Sequence, residues 1–193
     1  MANDLQRIDW KVFIDASEGY SLDPILTVFD RWRQEDDAPS DWVDLADYAH
    51  MPRGPRVMMA GKREHFSLDT NEPGPGLLLQ NRAGLVGSIE ERFIEAMKRH
   101  LKLAVRLTSE NEWPTDLKVQ GGAWSVAIND RLGFPNDDAT EAELKDGLVG
   151  ALDRFFGEGG YALTRDEDPA RRYGYSITVA TTRTVAEILG STS

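Results

Sequence analysis

"IDWKVFID", residues 8–15, is the stretch from which the fold can be read. Trp10, Val12 and Ile14 alternate with Lys11, Phe13 and Asp15, the period-two pattern of a strand that gives one fully apolar face to a core. Downstream, Asp23 stands before Pro24, an N-cap followed by a proline suited to the first helical position, and Ile25, Val28, Phe29 and Trp32 follow at helical spacing. A strand therefore leads into an amphipathic helix.

The acidic break "QEDDAPSD" (34–41) separates that helix from "WVDLADY" (42–48), a second strand. The stretch "ADYAHMPRGPRV" (46–57) then turns the chain into "RVMMAG" (56–61), a third, and "PGLLLQNR" (75–82) reads as a fourth. Ser88 with Glu91 makes a capping box for a helix over roughly 88–109, with Ile89, Phe93, Met97, Leu101 and Val105 on one face. Its first turn is acidic and its latter half carries Lys98, Arg99, Lys102 and Arg106, which suits the helix dipole. "TSENEWPTD" (108–116) ends it and marks the best boundary.

Beyond the boundary, "LKVQGGAWSVAIND" (117–130) reads as a hairpin with Gly121-Gly122 as its turn. Thr140 and Glu143 form a second capping box, opening a helix with Leu144, Leu148, Leu152 and Phe155. "YALTRD" and "YGYSITVAT" are two further strands around the loop "EDPARR". The expectation is an α+β protein with a mixed sheet of about eight strands and three main helices. It divides into an N-terminal βαβββα half (1–110) and a C-terminal ββαββ half (111–193), packed as one unit. Echoes between the halves, "VFIDAS" with "VAINDR" and "FDRWRQ" with "LDRFFG", suggest two βαββ-like copies.

Composition narrows the function. The chain carries 22 Lys and Arg against 33 Asp and Glu, a formal charge of -11, which opposes binding to nucleic acid or anionic membrane. The absence of cysteine removes disulfides, thiolate metal sites and cysteine nucleophiles. Asp4 stands where a signal peptide would be basic, and no run approaches the roughly 20 apolar residues of a membrane span. A cytoplasmic protein is expected.

If each strand-helix-strand unit is a right-handed crossover, the loops after its two parallel strands share one sheet edge, where ligands of open α/β sheets bind. In the first unit the loop "ASEGYSLD" would lie beside the 46–57 hairpin; in the second, "NDRLGFPNDD" would face "RDEDPARR". The candidate contact residues are Tyr20, Tyr48, His50, Arg53 and Arg56 from the first, with Asn129, Asp130 and Arg131 from the second. An Asp beside a His can hold an imidazole for general-base work, so His50 with Asp47 or Asp69 is the candidate catalytic set of an alternative hydrolase or transferase reading. Alternation sends Asp47 and Tyr48 to opposite faces, however, and Gly, Pro and polar residues are what a turn needs.

His65 and His100 show no metal-ligand spacing, and no metal or cofactor is expected. Asp130, Asp137, Asp138, Asp166 and Asp168 lack the calcium-loop pattern. No GxSxG, Walker loop or GxGxxG is present, and "GPGLL" (74–78) is a turn running into a strand. The leading reading is a binding or interaction module for a protein or small-molecule partner, with the 46–57 hairpin edge as its contact surface.

At "ADYAHMPRGPRVMMAG", followed by "SLD" and "PGLLLQNR", the chain resembles a set of small uncharacterised bacterial proteins with an ADYxHxPxGPG pattern and a later GLLYxR pattern. The likeness extends more loosely to "INDRLGFPN" and so covers most of the chain. Arg56 stands where that pattern has glycine, and Gln80 near its tyrosine. This weakens any phosphate or close-backbone role for the hairpin, and the resemblance implies no known activity.

Overall fold

The alternation at 8–15 builds the central strand of the sheet. In the computed structural model, which describes residues 4–16, 20–35, 41–51, 53–181 and 183–191, β1 (Ile8–Ala16) buries Ile8, Trp10, Val12 and Ile14. It pairs antiparallel with β5 (Gly76–Asn81) on one side and β6 (Leu117–Ile128) on the other. Outward from β5 lie β4 (Glu64–Asp69), β3 (Pro55–Gly61) and β2 (Trp42–Asp47); outward from β6 lie β8 (Gly174–Val179) and β7 (Tyr161–Arg165). The result is one eight-stranded sheet in the order β2-β3-β4-β5-β1-β6-β8-β7. Residues 17–19 of the first loop and 36–40 of the acidic break, both used above, lie outside the described residues.

The α+β class and eight strands are as expected, but two compensating differences lie beneath the count. "EHFSLD" (64–69), passed over in the sequence, is β4, so the first half is βαββββα. The stretch 117–128 is one strand rather than a hairpin. A Cβ at Gly121 would collide with the Arg183 carbonyl, and one at Gly122 would lie 2.7 Å from the Val179 carbonyl. These glycines permit close backbone approach within an irregularity, where the register against β1 shifts between Val12 and Ile14.

The sheet is antiparallel at all seven pairings rather than mixed. β1 and β2 do run in the same direction, but β5, β4 and β3 separate them. β6 is antiparallel to β1, so the loop after β1 and the loop after β6 emerge at opposite edges of the sheet.

The helices α1 (Asp23–Arg33), α2 (Ile89–Thr108), α3 (Asp138–Phe156) and the short α4 (Val185–Gly190) cover one face. Leu22 precedes α1 as its cap residue, with Pro24 in its first turn, and Asp137 caps α3 by accepting the Thr140 N–H. The Ser88–Glu91 capping box of α2 is formed from both sides. Trp10, Trp32, Trp124, Phe29, Phe66, Phe93 and Phe155 are fully buried between helices and sheet, each contributing roughly 1.5–3 kcal/mol relative to exposure. Within this layer His100 of α2 lies between Phe66 and Trp124 and hydrogen-bonds the Leu77 carbonyl through Nε2 at 2.9 Å. Among the described residues no helix is long and apolar enough to cross a membrane.

Candidate functional site

Because side chains alternate along a strand, burying Trp10 and Val12 under the helices turns Asp9, Lys11 and Phe13 to the opposite face. Their cross-strand partners there are Gln80, Leu78 and Gly76 on β5, with Ala127 and Ser125 on β6. Gly174 and Ser176 of β8 continue the row. Small residues on β6 and β8 leave this face hollow, and the loops around Glu72 and Arg172 reach over it. Three adjoining cavities of about 310, 150 and 150 Å³ result, with Asp9, Gln80, Glu72, Ser125, Ala127 and Arg172 recurring in their walls. They form one groove.

Two charges lie at its floor. Asp9 is 3% exposed and Lys11 5%. Lys11 Nζ is 2.7 Å from Asp69 Oδ2 and donates to the Asn71 carbonyl at 3.0 Å. Asp9 Oδ2 accepts from Arg172 at 2.5 Å and from the Gln80 and Asn129 amides at 3.3 Å each. Its other oxygen, Oδ1, is buried without a hydrogen-bond partner among the described residues. Burial pushes the Asp9 carboxyl above the ordinary carboxylate range against the pull of Arg172, and burial pulls the Lys11 ammonium below its usual value against the support of Asp69.

The residues singled out in the sequence are distributed differently. Asp47 accepts the Ala49 N–H at 2.8 Å and shapes the turn, while Asp69 is held by Lys11 and Asn71. Exposed His50 hydrogen-bonds neither of them, so the expected catalytic pairing is not assembled. Arg56 donates to the Ala49 carbonyl at 2.6 Å, and burial raises the half-buried Tyr20 hydroxyl against the pull of the Arg56 charge. Tyr48 is exposed, and Arg53 reaches over to Glu72 at 3.1 Å. Pro55 of the same hairpin lines the groove.

In the second half Asn129 belongs to the Asp9 cluster, whereas Asp130 accepts its own loop's Gly133 N–H and Arg131 is exposed. The loops expected to face each other there do so, through Asn136 donating to the Asp166 and Asp168 carbonyls.

Sequence reasoning missed Asp9, Lys11, Gln80 and Arg172. The letters stand in "IDWK", but they gain their meaning only once β5 and β6 flank the strand, where a charge that becomes buried must find partners. No three- or four-member His, Asp and Glu cluster able to hold a metal is found among the described residues. In comparisons with known proteins, the chain matches no protein-family model and no curated protein sequence.

Proposed function

We propose that this protein is a binding module whose ligand lies in the groove on the open face of the sheet, with the 46–57 hairpin as part of its rim. The observation that carries the reading is Asp9, a buried carboxyl at the groove floor with one oxygen unmatched among the described residues. An unmatched buried polar oxygen is unfavourable by roughly 1–3 kcal/mol, a deficit that a ligand N–H or O–H offsets. Small side chains on β6 and β8 leave room for such a ligand, and a concave surface with a few convergent polar groups is the usual form of a small-molecule site. The reading takes the partner to be a small polar molecule, and the charge of -11 argues against nucleic acid. It takes the location to be cytoplasmic, in keeping with a cysteine-free composition.

A fragment screen followed by amide chemical-shift mapping tests it. Polar fragments are expected to perturb Asp9, Lys11, Gln80, Ser125 and Arg172 as one set, and Asp9→Asn is expected to weaken those hits at least fivefold. Hits confined to the helical face, or a groove that no fragment perturbs, would overturn it.

A further inference from the structure

The cations of the groove are matched one by one, except at one end. Lys11 pairs with Asp69, Arg53 with Glu72, Arg171 with Asp166 and Arg172 with Asp9. At the end beside the start of β1 the matching stops. Among the described residues the side chain of Arg7 has no hydrogen bond or ion pair, and the guanidinium of Arg82 has only the His65 ring as a hydrogen-bond partner, 3.1 Å from Nε2. Both line the cavity of about 150 Å³ that also contains His65, Gln80 and Asn129. Asp9 is part of its wall, but that carboxyl is already countered by Arg172.

A guanidinium only donates, so His65 Nε2 accepts and the ring proton resides on Nδ1. Burial, reinforced by the Arg82 charge, holds His65 below its ordinary value and keeps the ring neutral. Nδ1–H has no partner among the described residues. The cavity is thus lined by two exposed arginines and one neutral imidazole in a chain that is otherwise strongly acidic. Two cations without carboxylate partners on the wall of one small cavity favour an anion there.

We propose that this cavity is the phosphate subsite of the groove, receiving a phosphate monoester whose oxygens accept from Arg7, Arg82 and His65 Nδ1. This rests on the groove being the binding surface. Charge selects phosphate over carboxylate: a phosphate monoester carries about −1.5 to −2 at neutral pH and matches both guanidiniums, whereas a carboxylate leaves one unmatched. The fork of an arginine suits phosphate oxygens geometrically.

The test is a chemical-shift titration of the intact chain with inorganic phosphate, with ionic strength held constant by chloride and acetate as a parallel arm. The expected result is saturable shifts at Arg7, His65, Arg82 and Asn129, a higher His65 titration midpoint in phosphate, and little response to acetate. Arg7→Gln and Arg82→Gln should each weaken phosphate at least fivefold, and Lys102→Gln on α2 should leave it unchanged. No saturation in the wild-type chain, an equal response to acetate, or equal losses from Lys102→Gln would overturn the assignment, and the wild-type titration decides the matter even if a variant misfolds. Fragments that still map to the Lys11–Asp69 end when phosphate fails would overturn the phosphate subsite alone; failure of both would overturn the groove as well.

Discussion

The two halves of the sheet share a path and differ by an insertion. In the second half β6, α3, β7 and β8 follow in sequence, and β8 lies between β6 and β7. In the first, β1, α1, β2 and β3 follow in the same sequence, with β3 again on the inner side of β2, but the hairpin β4–β5 is inserted between β3 and β1. Aligning "VFIDAS" on "VAINDR" sets Lys11 against Ser125, and these two residues are also cross-strand partners. The same position at the sheet centre therefore holds a buried ammonium in one half and a small hydroxyl in the other. The inserted hairpin supplies what the ammonium needs, Asp69 at the end of β4, together with Gln80 and His65.

The insertion also moves a turn. The β7–β8 turn is close enough to the centre for Arg172 to reach Asp9. Its counterpart, the β2–β3 turn with His50 and Arg53, is displaced by two strands and reaches only the loop at Glu72. The groove is thus a product of asymmetry between otherwise similar halves.

The largest expected effect tests the central pair. Lys11→Met leaves Asp69 buried without its cation and should lower stability by about 3–5 kcal/mol, whereas Ser125→Ala should stay within about 0.5 kcal/mol. Urea unfolding of both variants measures the contrast, and similar losses would break it.

Next comes pH. The first half ends in α2, which carries His100 in the core; the second ends in α4, whose buried residues are Val185 and Ile188. Burial pulls His100 from 6.5 to about 4, so the unfolded chain takes up this proton at higher pH than the folded one. The contribution is fully present above about pH 6.5, declines as pH falls and is lost near pH 4, a change of about 3 kcal/mol. Urea melts between pH 7.5 and 4.5 should show this decline in the wild type and flatten it in His100→Met.

A smaller effect tests what the halves share. Gly76 opens β5 opposite Phe13, and Gly174 opens β8 opposite Ala127. A Cβ at Gly76 would lie 2.5 Å from the Val12 carbonyl, and one at Gly174 would collide with that of Val126. Alanine at either site should lower stability by about 1–3 kcal/mol, by similar amounts in thermal melts. Smallest of all, exposed His50→Ala on the displaced turn should change stability by less than about 0.5 kcal/mol; a larger loss in the same melts would give that turn a structural role it does not show.

Legibility followed how strongly local chemistry was expressed. The alternation in β1 and the capping box of α2 stood out because strong apolar patterns and a reciprocal cap leave little competition. β4 was hidden because only Phe66 and Leu68 are apolar in "EHFSLD", with His65 and Asp69 on either side of them serving the groove. The two glycines of β6 imitated a turn because a glycine needed for close approach has the same letter as one needed for a bend. Asp9 and Lys11 lay in the best-read strand and still escaped notice, since their meaning depends on β5 and β6 lying on either side, a pairing that sequence order does not display. The 46–57 turn drew attention through its dense chemistry, yet its distance from the centre depends on a hairpin that could not be counted.

The strand order also has a meaning in time. β1 ends at residue 16 and its partner β6 begins at 117, so during synthesis at about 5–20 residues per second the interval between them lasts about 5–20 s. Throughout it, the N-terminal sheet can be complete out to β2 on one side while β1 remains an open edge. Such an edge recruits strands from other chains unless something spoils the match, and an inward-pointing charge does so. Lys11, expensive to bury in the finished protein, is an inward-pointing charge of this kind on β1.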